Sequence, residues 1–141
     1  MIPRVVLDTN VLVSGLRSSL GASNRVLSLL GSGRFDHAVS VALLFEYESA
    51  VMRPESGIRL PRVVLNDILD YICSAGRRQR IYFLWRPTLP DPSDDLVLEI
   101  AAHARCDRIV TFNVRDFAGS ERFGVRIETP GAFLRSLGVK S

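Results

Sequence analysis

The chain has 141 residues, 47% hydrophobic and 23% charged, with a formal net charge of +3. That length suits one domain, expected over residues 1–141, that buries roughly 68% of the surface its unfolded chain exposes. No apolar run approaches the ~20 residues of a membrane span, and the N-terminus lacks a signal peptide's basic-then-apolar pattern. An ordinary soluble protein in the cytoplasm, with no membrane partner, is expected.

The first informative stretch is RVVLDTNVLVSGL, residues 4–16. Val5, Val6 and Leu7 form an apolar run without alternation, which predicts a strand buried on both faces. Asp8 stands at its end. Thr9 and Asn10 are residue types that open helices, and Val11, Leu12, Val13 and Leu16 follow at helical spacing. Asp8 is therefore expected at the carboxyl end of a central strand, where open α/β sheets bind ligands. The alternative is that Asp8 only caps the helix.

Further along, a helix is expected from Ala22 to about Leu30, ended by Gly31 and Gly33. His37–Val41 is a second predicted strand. Ala42–Arg53 is a helix with Leu43, Leu44, Tyr47, Ala50 and Val51 as its core stripe, stopped by Pro54. Another helix opens at Pro61 and runs to about Cys73. Arg80–Trp85 is a third predicted strand, followed by a Pro-rich loop over 86–92. Ser93–Ala104 is a strongly apolar helix. Arg108–Phe112 is a fourth strand and Val125–Glu128 a short fifth. Thr129 and Pro130 open a last helix to Leu137. Strands alternating with helices argue a parallel sheet covered on both faces.

Seventeen of the 18 basic residues are Arg, and the lone Lys is Lys140. Arginine suits bidentate phosphate contacts. Its densest cluster, Arg77, Arg78 and Arg80, is a candidate nucleic-acid contact; the alternative is arginine on solvated faces. Cys73 and Cys106 are isolated and expected to be reduced thiols. His37 and His103 have no partners at zinc-site spacing.

Four acidic places carry potential chemistry. Asp8 is the first. Glu46 lies beside the core stripe of its helix, where a carboxylate can reach the sheet edge; Glu48 points elsewhere, toward solvent. In DPSDD, residues 91–95, Asp91 suits an N-cap, Pro92 suits N1, and Asp94 suits a capping box. Asp95 has no such task, and a carboxylate beside so much apolar surface usually has a partner. In TFNVRDF, residues 111–117, Thr111 and Asn113 can hydrogen-bond and Asp116 can ligate or cap. Carboxylates converging on one edge repel each other unless a cation neutralises them. Oxygen ligands select a hard ion, Mg²⁺ or Mn²⁺, which suits phosphodiester hydrolysis. Setting Asp8, Glu46, Asp95 and Asp116 aside leaves eleven acids against eighteen bases, a basic surface around an acidic pocket. The phosphate-loop, dinucleotide and nucleophile-elbow motifs are absent.

LDTNVLVSGL, then SVALLFEYESAVMRP, then DPSDDLVLEIAAHARCDRIVTFNVRDF, resembles a PIN-domain protein and is similar to the VapC-like toxins of bacterial toxin–antitoxin pairs. The resemblance implies a three-layer α/β/α fold around a central parallel sheet of strand order 3-2-1-4-5. It implies Mg²⁺- or Mn²⁺-dependent endoribonuclease activity on RNA, a homodimer and a small antitoxin protein as partner. By motif, Asp8 matches the first metal-binding Asp, Glu46 the helix Glu, and Asp95 the third acid, so Asp8 and Asp95 would be metal ligands. Thr9, Asn10, Thr111 and Asn113 would support them. At the fourth acid the chain departs: Asn113 stands where the pattern has Asp, as in a recurring variant that retains Asp116. A second reading, from another class, is a catalytically weak PIN domain that binds RNA or protein.

Overall fold

The computed structural model describes residues 2–78, 92–120 and 124–139, and the backbone alone of residues 92–95. The elements run β1 (Arg4–Leu7), α1 (Thr9–Arg17), α2 (Ala22–Ser28), β2 (Asp36–Val39), α3 (Val41–Val51), α4 (Arg62–Ala75), β3 (Arg77–Arg78), α5 (Pro92–His103), β4 (Arg108–Val110), β5 (Arg126–Glu128) and α6 (Pro130–Ser136). Short 3₁₀ turns cover Pro54–Ser56 and Val114–Phe117. Among the described residues the strands form one sheet, all parallel, in the order β3-β2-β1-β4-β5. This is the three-layer architecture and strand order expected. No helix among the described residues is long and apolar enough to cross a membrane.

β1 is central because its side chains leave water completely: Val5 and Val6 are fully buried and Leu7 nearly so. It pairs with β2 at Val5↔His37 and with β4 at Val6↔Ile109 and Leu7↔Val110. The first two crossovers move one way across the sheet and the next two move back. Right-handed crossovers then place α1–α4 on one face and α5 on the other. The contacts agree: α1 touches α2 and α3, α3 touches α4, α6 touches α2, and α5 rests on β1, β2 and β4. In α5, Val97, Leu98, Ile100 and Ala101 are fully buried.

Helix starts follow local chemistry. The Ser40 hydroxyl accepts from Leu43 N at 3.1 Å and caps α3; Thr129 does the same for α6 through Ala132 N at 3.2 Å. Each such cap is worth about 1 kcal/mol. α1 and α2 meet at Gly15. A Cβ built there would lie 2.5 Å from Leu27 Cδ1 and 3.1 Å from the Ser23 carbonyl carbon. Asn24 Nδ2 donates to the Gly15 carbonyl at 2.8 Å, and Ser23 Oγ to Ser14 Oγ at 3.0 Å, so the two helices are also stitched by polar bonds.

Several boundaries differ from the sequence reading; β2, for one, covers Asp36–Val39 rather than His37–Val41, because Ser40 caps α3. The third strand expected at Arg80–Trp85 lies outside the described residues. Among the described residues, a strand covers Arg77–Arg78, paired to β2 through Ala38↔Arg77 and Val39↔Arg78. The fourth strand stops at Val110 rather than Phe112, because Thr111 Oγ1 accepts the Asn113 N–H at 2.9 Å and turns the chain. Finally, α2 ends at Ser28, where the next N–H groups step to three-residue bonds, Leu29 to Val26 and Leu30 to Leu27.

The free thiols divide by depth. Cys106 is buried and its thiol is pushed up to about 12, chiefly by desolvation; Cys73 is half-buried. His37, on β2, is also buried, and its Nε2–H donates to the Ile72 carbonyl at 2.8 Å, tying the sheet to α4. Burial lowers its pKa below 6.5, opposed by that bond and by the charge of Asp36. A lowered folded-state pKa means that the unfolded chain takes the proton first as pH falls. Stability from neutral His37 is thus complete above pH 6.5 and is lost below it, toward the lowered value. On acidification below that point the wild type should lose stability faster than His37→Gln, by up to about 1.4 kcal/mol per pH unit. Urea unfolding of both proteins on a pH series checks this; parallel profiles would refute it.

Candidate functional site

At the carboxyl edge of β1 the chain turns directly into α1, and Asp8 is the residue at the turn. Its backbone is extended, and its Oδ1 accepts the Thr9 N–H at 2.8 Å, so it caps α1. Its Oδ2 faces the neighbouring strand. There it accepts the Thr111 hydroxyl at 2.7 Å and Asn10 Nδ2 at 3.3 Å. Capping and a place at the ligand-binding edge, alternatives in the sequence, are therefore compatible. Asp8 is only 6% exposed, and a buried carboxylate needs donors of this kind.

α3 brings the second carboxylate. It begins where β2 ends, and Glu46 falls in its second turn, half-buried. Glu46 Oε2 accepts the Thr9 hydroxyl at 2.8 Å. Consecutive residues Asp8 and Thr9 thereby join two acids from different elements. Glu48, one helical step away, is exposed.

The loop after β4 closes the other side. Thr111 is fully buried. Its hydroxyl donates to Asp8 and accepts from Asn113 N at 2.9 Å. Asn10 Oδ1 accepts the Phe112 N–H at 3.3 Å. Asn10 therefore binds Asp8 through its amide nitrogen and the loop backbone through its oxygen, as α1 and β4 require to stay in register.

Other candidate residues fall differently. Asp95 stands in the first turn of α5, which topology sets at the same sheet edge; its side chain lies outside the described residues. Asp116 is exposed on the 3₁₀ turn, where its N–H donates to the Asn113 carbonyl at 3.0 Å. Among the described residues no hydrogen bond is seen from its carboxylate, or from the side-chain amide of Asn113, to the Asp8 network, although the Asn113 backbone N–H donates to Thr111 Oγ1. Arg77 and Arg78 are exposed on β3, with Arg77 paired to Asp36 at 3.5 Å; Arg80 lies outside the described residues. Among the described residues no group of three acids, histidines or cysteines is close enough to hold a metal. The donors assembled at Asp8 and Glu46 are nonetheless oxygen only, which fits a hard divalent ion.

Two residues were not singled out in the sequence. Tyr47, read as core, donates its buried hydroxyl to the Leu7 carbonyl at 2.5 Å. Its pKa is raised well above 10 by burial first, then by the negative charges of Asp8 and Glu46. The phenol thus lies within electrostatic range of both acids and stays protonated. Glu99 is 3% exposed, and among the described residues its Oε1 has no hydrogen-bond partner. The signal for it was available: it is an acid interrupting the apolar run LVLEIAA, one helical turn after Asp95.

A sequence profile of the PIN domain matches residues 4–115. The chain belongs to the PIN-domain family. PIN domains are generally nucleases and generally use divalent metal ions. The matched span of this PIN domain contains β1, α3, α5, β4 and the loop after β4 as far as Arg115. No curated protein matches the sequence significantly.

The Tyr47 bond makes a measurable contribution. Tyr47→Phe leaves the Leu7 carbonyl without its phenol donor beside two carboxylates, at a cost of about 1–2 kcal/mol. The urea midpoint should fall with the slope unchanged. An unaltered midpoint would mean that the phenol bond adds nothing.

Proposed function

We propose that this PIN domain is an Mg²⁺- or Mn²⁺-dependent endoribonuclease, the toxin of a toxin–antitoxin pair. In this reading it is a cytoplasmic homodimer whose partners are RNA and a small antitoxin protein. The observation that carries the catalytic part is the hydrogen-bonded link Thr111–Asp8–Thr9–Glu46 at the end of the central strand.

Asp8 and Asp95 would hold the ion, and Glu46 would act with them. When bound, such an ion lowers the pKa of an attacking water and stabilises charge on the phosphate. The protein's own work is positional. Thr111 and Asn10 hold the Asp8 carboxylate in one orientation, so no reorganisation is needed as charge develops. Thr9 holds Glu46, which can accept a proton from water at its carboxylate. Tyr47, kept neutral, fixes α3 to the end of β1 without adding charge. Asp116, retained after Asn113, is the fourth acid of the proposal.

Asp8→Asn should abolish Mg²⁺-dependent RNA cleavage while the fold persists, because Asn keeps an oxygen for the Thr9 N–H and relieves repulsion with Glu46, which offsets part of what is lost where the new amide NH₂ meets the donors of Thr111 and Asn10. Glu46→Gln should act the same way, and the double variant should lose no more than either alone. Cleavage within a few-fold of wild type in Asp8→Asn would overturn the assignment. Toxicity on expression, relieved by co-expressing a small protein encoded alongside, tests the toxin role.

Asn113 supplies no charge where the family pattern has an acid. Without RNA the protein should therefore hold one ion. Asn113→Asp should tighten Mn²⁺ binding roughly tenfold, about 1.4 kcal/mol, after desolvation and carboxylate repulsion have cut the bare attraction. Titration calorimetry decides this: two tight sites in the wild type, or no gain in the variant, would mean that Asp116 already fills the role.

A further inference from the structure

The loop that closes the acidic edge carries apolar surface into water. Phe112 is 47% exposed and Val114 is 41% exposed, although Phe117, at the far end of the same loop, is fully buried. Arg115, between them, is exposed as well. Phe112 directly follows Thr111, whose hydroxyl bonds Asp8. Its backbone is not loose: the Phe112 N–H is held by Asn10 Oδ1 at 3.3 Å, and the next N–H by Thr111 Oγ1 at 2.9 Å. The 3₁₀ turn over Val114–Phe117 and the buried Phe117 ring pin the other end. The chain thus fixes an aromatic ring, half in water, on the rim of the site through residues that also hold its carboxylate.

From this we infer that Phe112 is a platform on which an unpaired base next to the scissile phosphate stacks, with Arg115 taking an adjoining phosphate. The inference rests on the nuclease reading above and deepens it. An aromatic face is matched by a nucleobase face, and stacking on it tolerates any base. In a duplex those faces are already covered by neighbouring bases, so only unpaired nucleotides can use the ring. A guanidinium on the same loop suits the phosphate beside that base. The Phe112 backbone is already fixed, so only the side chain has to be ordered at binding.

Binding and cleavage are separable, so the test reads binding. A short single-stranded oligoribonucleotide carrying a fluorescent purine analogue is titrated with protein in EDTA, and again in Ca²⁺, following anisotropy and the analogue's emission. Phe112→Ala should weaken binding roughly tenfold and remove the change in emission. Phe112→Leu, which keeps an apolar side chain without a π-face, should lose as much, whereas Phe112→Tyr should stay within about twofold. The same RNA annealed to its complement should be indifferent to all three substitutions. Leu binding as well as Phe, an equal loss on duplex, or no binding of the single strand by the wild type in either condition would overturn the proposal. Absence of cleavage with Mg²⁺ or Mn²⁺ would instead defeat the nuclease reading and leave the stacking result standing. Phe112 is half in water, so circular dichroism should show all three variants folded.

Discussion

The bond from the Thr111 hydroxyl to the Asp8 carboxylate, 2.7 Å long, holds the edge of the candidate site together. It joins the ends of two adjacent parallel strands, β1 and β4, at the point where both chains leave the sheet. A carboxylate this deeply buried is costly unless donors surround it. The local chain supplies them: the N–H of Thr9, the amide of Asn10 and the hydroxyl of Thr111. A hydrogen bond to a charged acceptor contributes about 1.5–3 kcal/mol, above the usual range for a neutral pair. The short sequence DTN is therefore both a helix start and a set of ligands for its own acid.

α3 is fastened to this centre by neighbouring residues of opposite character. Glu46 takes the Thr9 hydroxyl from the half-exposed side, while Tyr47 reaches the Leu7 carbonyl from the buried side. The two bonds land on residues that bracket Asp8. Any shift of α3 along the sheet would break both at once, so the separation of the two acids is set by the fold rather than by their own flexible side chains. The unpartnered oxygen of Glu99 stands apart from this network in the described contacts, and its burial has no account in the bonds seen.

Much of this was legible in the sequence because its signals are local. A non-alternating apolar run, an acid and a helix pattern define β1, Asp8 and α1 within about a dozen residues. The family motifs then order the remaining elements. What could not be read depends on distant contacts. Tyr47 fits a core stripe, and only its meeting with Leu7 gives the hydroxyl a task. The described residues of β3 are two arginines, and only their pairing with β2 makes them strand. Phe112 has the propensity of a strand residue, yet the preceding threonine turns the chain and leaves the ring outside. Glu99 is visible as a lone acid among apolar residues, but the helical pattern of LVLEIAA does not say that it is buried.

Gly15 has consequences well beyond its own turn. α1 is a short rigid rod whose first residues follow the Asp8 cap, and Gly15 lies about 10 Å along it at 1.5 Å per residue. At that far end the helix rests on α2 with no room for a methyl group unless Leu27 or the Ser23 backbone gives way. The rod therefore works as a lever with its fulcrum in the α1–α2 contact and its working tip among Thr9 and Asn10. A bulkier residue at Gly15 would tilt the tip, pulling the Thr9 N–H and the Asn10 amide away from the Asp8 carboxylate. Damage of this kind would resemble loss of a catalytic group while every catalytic group remained in place.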